Sequence, residues 1–350
     1  MTYVDGSTYQ GQFCNNKKHG NGQFAIGLDV YVGSFIDGVI SGHGIYKYSN
    51  GDVYEGEWRD GHKYGMGTYK SSNTIYEGLF ENDNMHGYGS LISSIDGTQY
   101  QGNFAAGEIS GSGTMTFPNG DIYQGDFVCG KRQGRGRLII FEFGDVYEGE
   151  FMNNKMNGQG SLKYGDGRYK YKFNKFFLFW YNFNKLNGEY RFSEFKGEFV
   201  DDQKHGKGVF KYTDGSVYEG DYSQGKKEGF GKHIASNGNT FEGIFVHGKM
   251  RKGTSVESGL VFEGEYANNE RNGHGKVKWP NGTTFEGIFV GNHLQEGVLS
   301  MSDGSIYKAE FICQDTGARL QIKLIDNEGL VTESLFCDGH FVESYIDHPL

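Results

Sequence analysis

The sequence predicts an all-β protein: an elongated, rod-like, single-layer antiparallel β-meander solenoid of about 14 hairpin repeats. Three observations carry that reading. Glycine supplies 58 of 350 residues against 3 prolines, more than twice its usual share of roughly 7%. The chain also holds 24 Tyr, 28 Phe and 3 Trp, which a disordered glycine-rich chain would lack. Finally, an aromatic-x-Gly-x-aromatic pentad returns 12 times, starting at Tyr9, Tyr31, Tyr54, Tyr76, Tyr100, Tyr123, Tyr147, Phe195, Tyr218, Phe241, Phe262 and Phe285. Glycine at every third position with abundant proline, the signature of collagen, is absent.

Each element of the repeat has a physical reading. Two decayed copies start at Tyr169, where Tyr171 replaces the glycine, and at Tyr307, where Ala309 does. Steps between starts are 21 to 24 residues, except 26 between Tyr169 and Phe195, so linkers have no room. A G-x-G follows most pentads, as at Gly20 and Gly22 or Gly134 and Gly136, with apolar residues such as Phe24 two places on. Alternation with period two makes each half a strand. Asn15-Asn16, Asp60-Gly61, Asn153-Asn154 and Asn268-Asn269 mark turns within units, and Asn50-Gly51, Asn119-Gly120 and Asp303-Gly304 mark turns between them.

Sequential hairpins with short connections form a meander, and two strands per repeat far exceed the roughly 10 strands of an ordinary open sheet. At about 4.8 Å per strand the array spans on the order of 130 Å. Glycine normally weakens a strand. A Tyr or Phe ring lying over a glycine of the neighbouring strand covers exposed backbone and buries itself, so that one layer acquires a core. The opposite face is expected to be polar, with Glu55, Glu57, Glu148 and Glu150 set against lysines in cross-strand ion pairs.

The unit Y-x-G-x-[FW]…G-x-G-x-x-x-x-x-[DN]-G-x-x-Y resembles the MORN repeat, most closely at 54–67 (YEGEWRDGHKYGMG), 147–160 (YEGEFMNNKMNGQG) and 262–275 (FEGEYANNERNGHG). The resemblance runs from residue 3 to about 311, which divides the chain into a repeat array at 1–311, degenerate and aromatic-rich at 168–194, and a C-terminal β cap or dimerisation segment at 312–350. What it implies is a non-enzymatic scaffold or protein–protein interaction module. Such repeats occur in cilia and flagella, including radial-spoke heads and axonemes, in basal bodies and the cell cortex, and at membrane junctions. The alternative it implies is a peripheral membrane adaptor for anionic phospholipids. It also implies homodimerisation through the C-terminal repeats.

Two residue groups stand out as candidate sites. Recurrent basic residues in the turns form a predicted basic row along one edge, densest at Lys131, Arg132, Arg135 and Arg137, a site for an anionic partner or lipid. Phe176, Phe177, Phe179, Trp180 and Tyr181 crowd a stretch too short to place them all on one face of a strand. They form either an internal repair of the decayed repeat or a candidate partner-binding patch.

Other chemistry finds no support. Gly125…Gly130-Lys131, Gly220…Gly225-Lys226 and Gly243…Gly248-Lys249 mimic a phosphate-binding loop, but Arg132, Lys227 and Met250 replace the required Ser or Thr. No zinc-protease, dinucleotide-binding or nucleophile-elbow motif is present, so no catalytic residue and no cofactor are expected. Cys313, Cys337, His340 and His348 do not by their spacing define a metal site. A formal net charge of −10 argues against nucleic acid as a partner. Scattered cysteines and the lack of a leader-like or 18-residue apolar run point to a cytoplasmic, cytoskeleton-associated protein.

Overall fold

The structure, a computed structural model, describes residues 1–165, 193–312, 320–326 and 328–345, and every regular element among them is a β-strand. Contacts divide the chain into two units, Met1–Leu186 and Asn187–Leu350. The first contains β1 (Thr8–Cys14), β2 (Lys17–Ile26), β3 (Asp29–Ile36), β4 (Val39–Lys47), β5 (Val53–Arg59), β6 (His62–Lys70), β7 (Thr74–Glu81), β8 (Asn84–Ser93), β9 (Gln99–Ala105), β10 (Glu108–Thr116), β11 (Ile122–Val128), β12 (Lys131–Ile140), β13 (Asp145–Met152) and β14 (Lys155–Lys163). The second contains β15 (Glu194–Val200), β16 (Gln203–Lys211), β17 (Val217–Ser223), β18 (Lys226–Ile234), β19 (Thr240–Val246), β20 (Lys249–Glu257), β21 (Leu260–Ala267), β22 (Glu270–Lys278), β23 (Thr284–Val290), β24 (His293–Ser300), β25 (Ile306–Ile312), β26 (Leu320–Ile325), β27 (Val331–Cys337) and β28 (His340–Tyr345). Within each unit every strand pairs antiparallel with the next in sequence, as the meander reading required.

Register is fixed by a line of glycines. In the first unit Gly11, Gly22, Gly33, Gly44, Gly56, Gly67 and Gly78 face one another in succession, and the line continues through Gly89, Gly102, Gly113, Gly125, Gly136, Gly149 and Gly160. In the second it runs from Gly197 through Gly208, Gly220 and Gly231 to Gly297, whose partner is Ala309. The first ring of the pentad explains the line everywhere but at Gly243 and Gly253. A Cβ on Gly11 would meet the Tyr9 hydroxyl oxygen at 2.5 Å, and one on Gly22 would meet the same ring at 2.5 Å. One ring therefore covers one glycine pair, and any side chain there would displace it.

Hairpin turns hold two residues in the left-handed region, such as Asn15 (φ 49°) with Asn16 (φ 64°) and Asp60 (φ 52°) with Gly61 (φ 84°). This is the type I′ geometry that matches strand twist, and it is why Asn, Asp and Gly recur there. The first glycine of G-x-G serves a different purpose from the second. Between Gly125↔Gly136 and Asp126↔Gln133 the register slips, and the residue that absorbs the slip, Gly134, has φ +67°. Neighbouring turns are stitched together, since Gly38 N–H donates to Lys18 O at 2.8 Å and Gly61 N–H to Ile40 O at 2.9 Å.

The core is a column of rings on one face. Tyr9, Tyr31, Tyr54, Tyr76, Tyr100, Tyr123 and Tyr147 are buried, and each lies edge to face with the second ring of its own pentad, at about 5 Å between centroids. From Tyr9 to Tyr123 each also meets the second ring of the next repeat, as Tyr54 meets Phe80 at 4.9 Å. Edge-to-face pairs add about 0.5–1.5 kcal/mol beyond area burial. The outer face carries the expected ion pairs, Arg137–Glu148 at 3.1 Å, Lys232–Glu242 at 3.0 Å and Lys276–Glu286 at 3.1 Å. It is not uniformly polar, however: Met66 stands opposite Leu79 and Phe230 opposite Ile244, all exposed.

The sheet does not stop where the pentads do. β26 pairs with β25 (Phe311↔Ile322), and β27 and β28 follow in order. Phe336 of β27 turns onto the ring face, 5.8 Å from Phe311 and 5.2 Å from Trp279. The β27–β28 turn is tied back when Asn281 Nδ2 donates to Gly339 O at 2.7 Å. The cap residues thus fold back on their own unit across 58 positions of sequence.

Candidate interaction surface

The ring face is where unusual electrostatics gather. Two places before the first glycine of G-x-G, alternation puts one residue of each second strand on the same face as the rings. Along the described repeats that position reads Lys18, Ile40, Lys63, Met85, Ile109, Arg132, Met156, Lys204, Lys227, Met250, Arg271 and Leu294; in repeats 241 and 285, which lack that glycine, it is the corresponding residue. Where it is basic, the cation lies over aromatic rings. Lys18 Nζ is 4.0 Å from the Phe24 centroid, Lys63 Nζ 4.9 Å from Tyr69, Lys204 Nζ 4.7 Å from Phe210 and Lys227 Nζ 4.3 Å from Tyr218. The Arg271 guanidinium stands 5.1 Å from Phe262. Such contacts strengthen as water is removed.

Burial lowers the pKa of these amines because the charged form loses hydration. Lys18 and Lys63 are both lowered by desolvation, partly offset by Asp5 for the first and by Asp83 and Asp52 for the second. Lys204 is lowered by desolvation, and Lys227 falls to about 8 through desolvation and then the repulsion of Lys204. Beside Lys227, His233 is lowered by burial and by that lysine. Its buried Nδ1 has no hydrogen-bond partner among the described residues. The first-ring tyrosines move the other way. Desolvation pushes Tyr31, Tyr76, Tyr100 and Tyr123 up to about 12.

The structure divides the predicted basic group between two faces. Arg132 belongs to the ring face, with its guanidinium 5.6 Å from Tyr123 and 5.5 Å from Phe151, and donates to Asn154 O. Lys131, Arg135 and Arg137 have the opposite parity; Arg135 stands opposite Glu150, and Arg137 is held by Glu148. Equivalent turn positions do stack, but adjacent basic residues point in opposite directions because the strand begins at the turn. The missed signal was available. In the sequence itself, Lys18, Lys63, Arg132, Lys204, Lys227 and Arg271 stand two places before the first glycine of G-x-G.

Phe176, Phe177, Phe179, Trp180 and Tyr181 lie outside the described residues, as do Cys313 and His348. Cys337 and His340 are the first and last residues flanking the final turn, and no cluster of metal-ligating side chains is found among the described residues. No helix among those residues is long and apolar enough to cross a membrane.

A sheet of hairpin repeats with one ring-lined face defines a repeat-built all-β protein. The MORN repeat model matches ten segments, at residues 9–25, 31–53, 54–74, 76–98, 100–122, 123–140, 147–167, 195–217, 218–240 and 262–284. These make up well over half of the chain, which therefore belongs to the MORN-repeat family. No curated protein matches the chain. The copies starting at Phe241 and Phe285 fall outside the ten, and both have a physical peculiarity: their central glycine pairs, Gly243↔Gly253 and Gly287↔Gly297, come one residue early, without the left-handed glycine that precedes the second glycine elsewhere. MORN repeats are generally modules that bind proteins or membranes.

Proposed function

We propose that the chain is a non-enzymatic scaffold of a cytoskeletal assembly, such as an axoneme, basal body or cell cortex, whose ring face docks segments of partner proteins. The observation that carries this reading is the recurrence of the ring face from repeat to repeat, with a cation over the rings in six of those described, which offers related contacts at regular spacing instead of one enclosed site. Pairing of two copies through the C-terminal strands belongs to the same proposal; among the described strands β28 pairs with β27 alone.

The test is detergent extraction of cells expressing the tagged protein at native level. Retention on an insoluble filamentous structure is expected. Release by detergent from a membranous site would overturn the reading in favour of a lipid adaptor. In that case binding to phosphoinositide vesicles should fall when Lys131 and Arg135 on the outer face are reversed to glutamate.

A further inference from the structure

Along the described repeats the ring-face position holds either a cation or an apolar residue, and apolar residues adjoin at Met85 and Ile109. Among the cations, only Lys204 and Lys227 follow each other in consecutive repeats. Three other cations at this position have acidic company: Asp5 near Lys18, Asp83 and Asp52 near Lys63, and Glu257 bonded to Arg271 at 2.6 Å. Lys227 has none among the described residues. The neighbours that act on it are Lys204 and the rings of Tyr218, Tyr212 and Phe245 at 4.3, 5.4 and 5.8 Å. His233 adds an unpartnered buried nitrogen on the same face, 5.8 Å from Tyr212 between ring centroids.

We infer that the ring face around Lys204, Lys227 and His233 is a binding site for carboxylate side chains of an acidic, partly apolar segment of a partner protein. The inference rests on the docking reading above and names the chemistry of the docked segment. A carboxylate seated here supplies the counter-charge that Lys18, Lys63 and Arg271 have in their repeats, while its apolar neighbours pack on the flanking rings. The amines are half-buried among those rings. An extended chain can insert a side chain that deep, whereas a bilayer presents its head groups in a plane.

Protonation of the site follows from its neighbours. Lys227 loses its charge as pH rises through about 8, while Tyr212 and Tyr218 are raised and stay neutral there. His233 is already neutral, and Asp214, which acts on both His233 and Tyr212, is lowered by Ser216 and stays charged. Affinity should therefore decline as pH rises through about 8.

The experiment uses the full chain and short capped peptides of alternating glutamate and leucine, glutamine and leucine, or lysine and leucine, followed by fluorescence anisotropy. K204M and K227M are informative because methionine already fills the same position at Met85, Met156 and Met250, so folding is retained; K226M, on the opposite face, is the control. The glutamate peptide is expected to bind at least about tenfold more tightly than the other two, and K204M/K227M should remove that preference while K226M keeps it. Equal binding of the glutamate and glutamine peptides would overturn carboxylate recognition yet leave ring-face docking standing. Binding of no peptide would overturn both. Binding of phosphatidylserine vesicles lost in K204M/K227M, without glutamate-peptide binding, would overturn the protein-segment assignment.

Discussion

The two units use the same register with different rings, and the difference separates what the repeat requires from what it tolerates. In the first, the seven leading rings among the described residues are tyrosines, and each hydroxyl donates to the carbonyl three residues on, as Tyr54 does to Glu57 O at 2.8 Å and Tyr100 to Asn103 O at 3.0 Å. In the second, Phe195, Phe241, Phe262 and Phe285 replace tyrosine, and only Tyr218 reaches across in this way, at 3.5 Å to Asp221 O. The ring column of the first unit runs without a break, whereas in the second Phe241 is half-buried and Met250 projects toward Gly253 in its place. Covering the glycine pair is thus the common requirement. The hydroxyl bond and the unbroken column are additions.

The sharpest way to break that comparison is to remove a ring from each kind of site. Phe262→Ala empties a fully buried position and should cost about 3–5 kcal/mol, whereas Phe241→Ala should cost less than half as much, since its ring is already displaced. Segment-resolved hydrogen exchange on the two variants reads the difference. Next in size is Gly113→Ala, whose Cβ would collide with the Tyr100 ring at about 2.5 Å. The expected loss is about 1–3 kcal/mol, seen as a lowered denaturant midpoint without loss of expression.

Smaller effects sharpen the comparison. Tyr100→Phe should cost about 0.5–1.5 kcal/mol at neutral pH, and Phe195→Tyr should recover part of such a bond in the second unit. Chemical denaturation of each variant against the parent decides. Alkaline pH should reverse the ranking. Tyr76 and Tyr100 are raised from an ordinary 10 to about 12 by burial, so the neutral ring is favoured in the folded state. Their stabilisation is complete below pH 10 and is lost as pH climbs from about 10 to about 12. A Tyr76→Phe/Tyr100→Phe variant should therefore be weaker than the parent at neutral pH but unfold at a higher alkaline midpoint, followed by tyrosinate absorbance and circular dichroism together.

Most of the fold was legible because it is local. Asn15-Asn16 and Asp60-Gly61 specify type I′ turns by their own backbone preferences, and Tyr54 with Gly56 and Gly67 specifies which face is covered. The candidate surface was half legible. Lys131 and Arg132 read as one basic group, yet a strand sends neighbours to opposite faces, and only the ring geometry shows that Arg132 stacks on Tyr123 and Phe151. Nothing in the repeat spacing shows Lys227 stripped of water beside Lys204, because that depends on which rings the two adjacent repeats bring around it.

By itself the sequence determined the repeat, its family, the hairpin turns and the ring-over-glycine core, since each rests on residues within one or two strands of each other. The tertiary structure decided the rest: the rings that strip Lys227 of water beside Lys204, and the return of Phe336 and Gly339 to Trp279 and Asn281. These depend on packing between strands far apart in sequence, and a periodic pattern carries no record of distances it does not repeat.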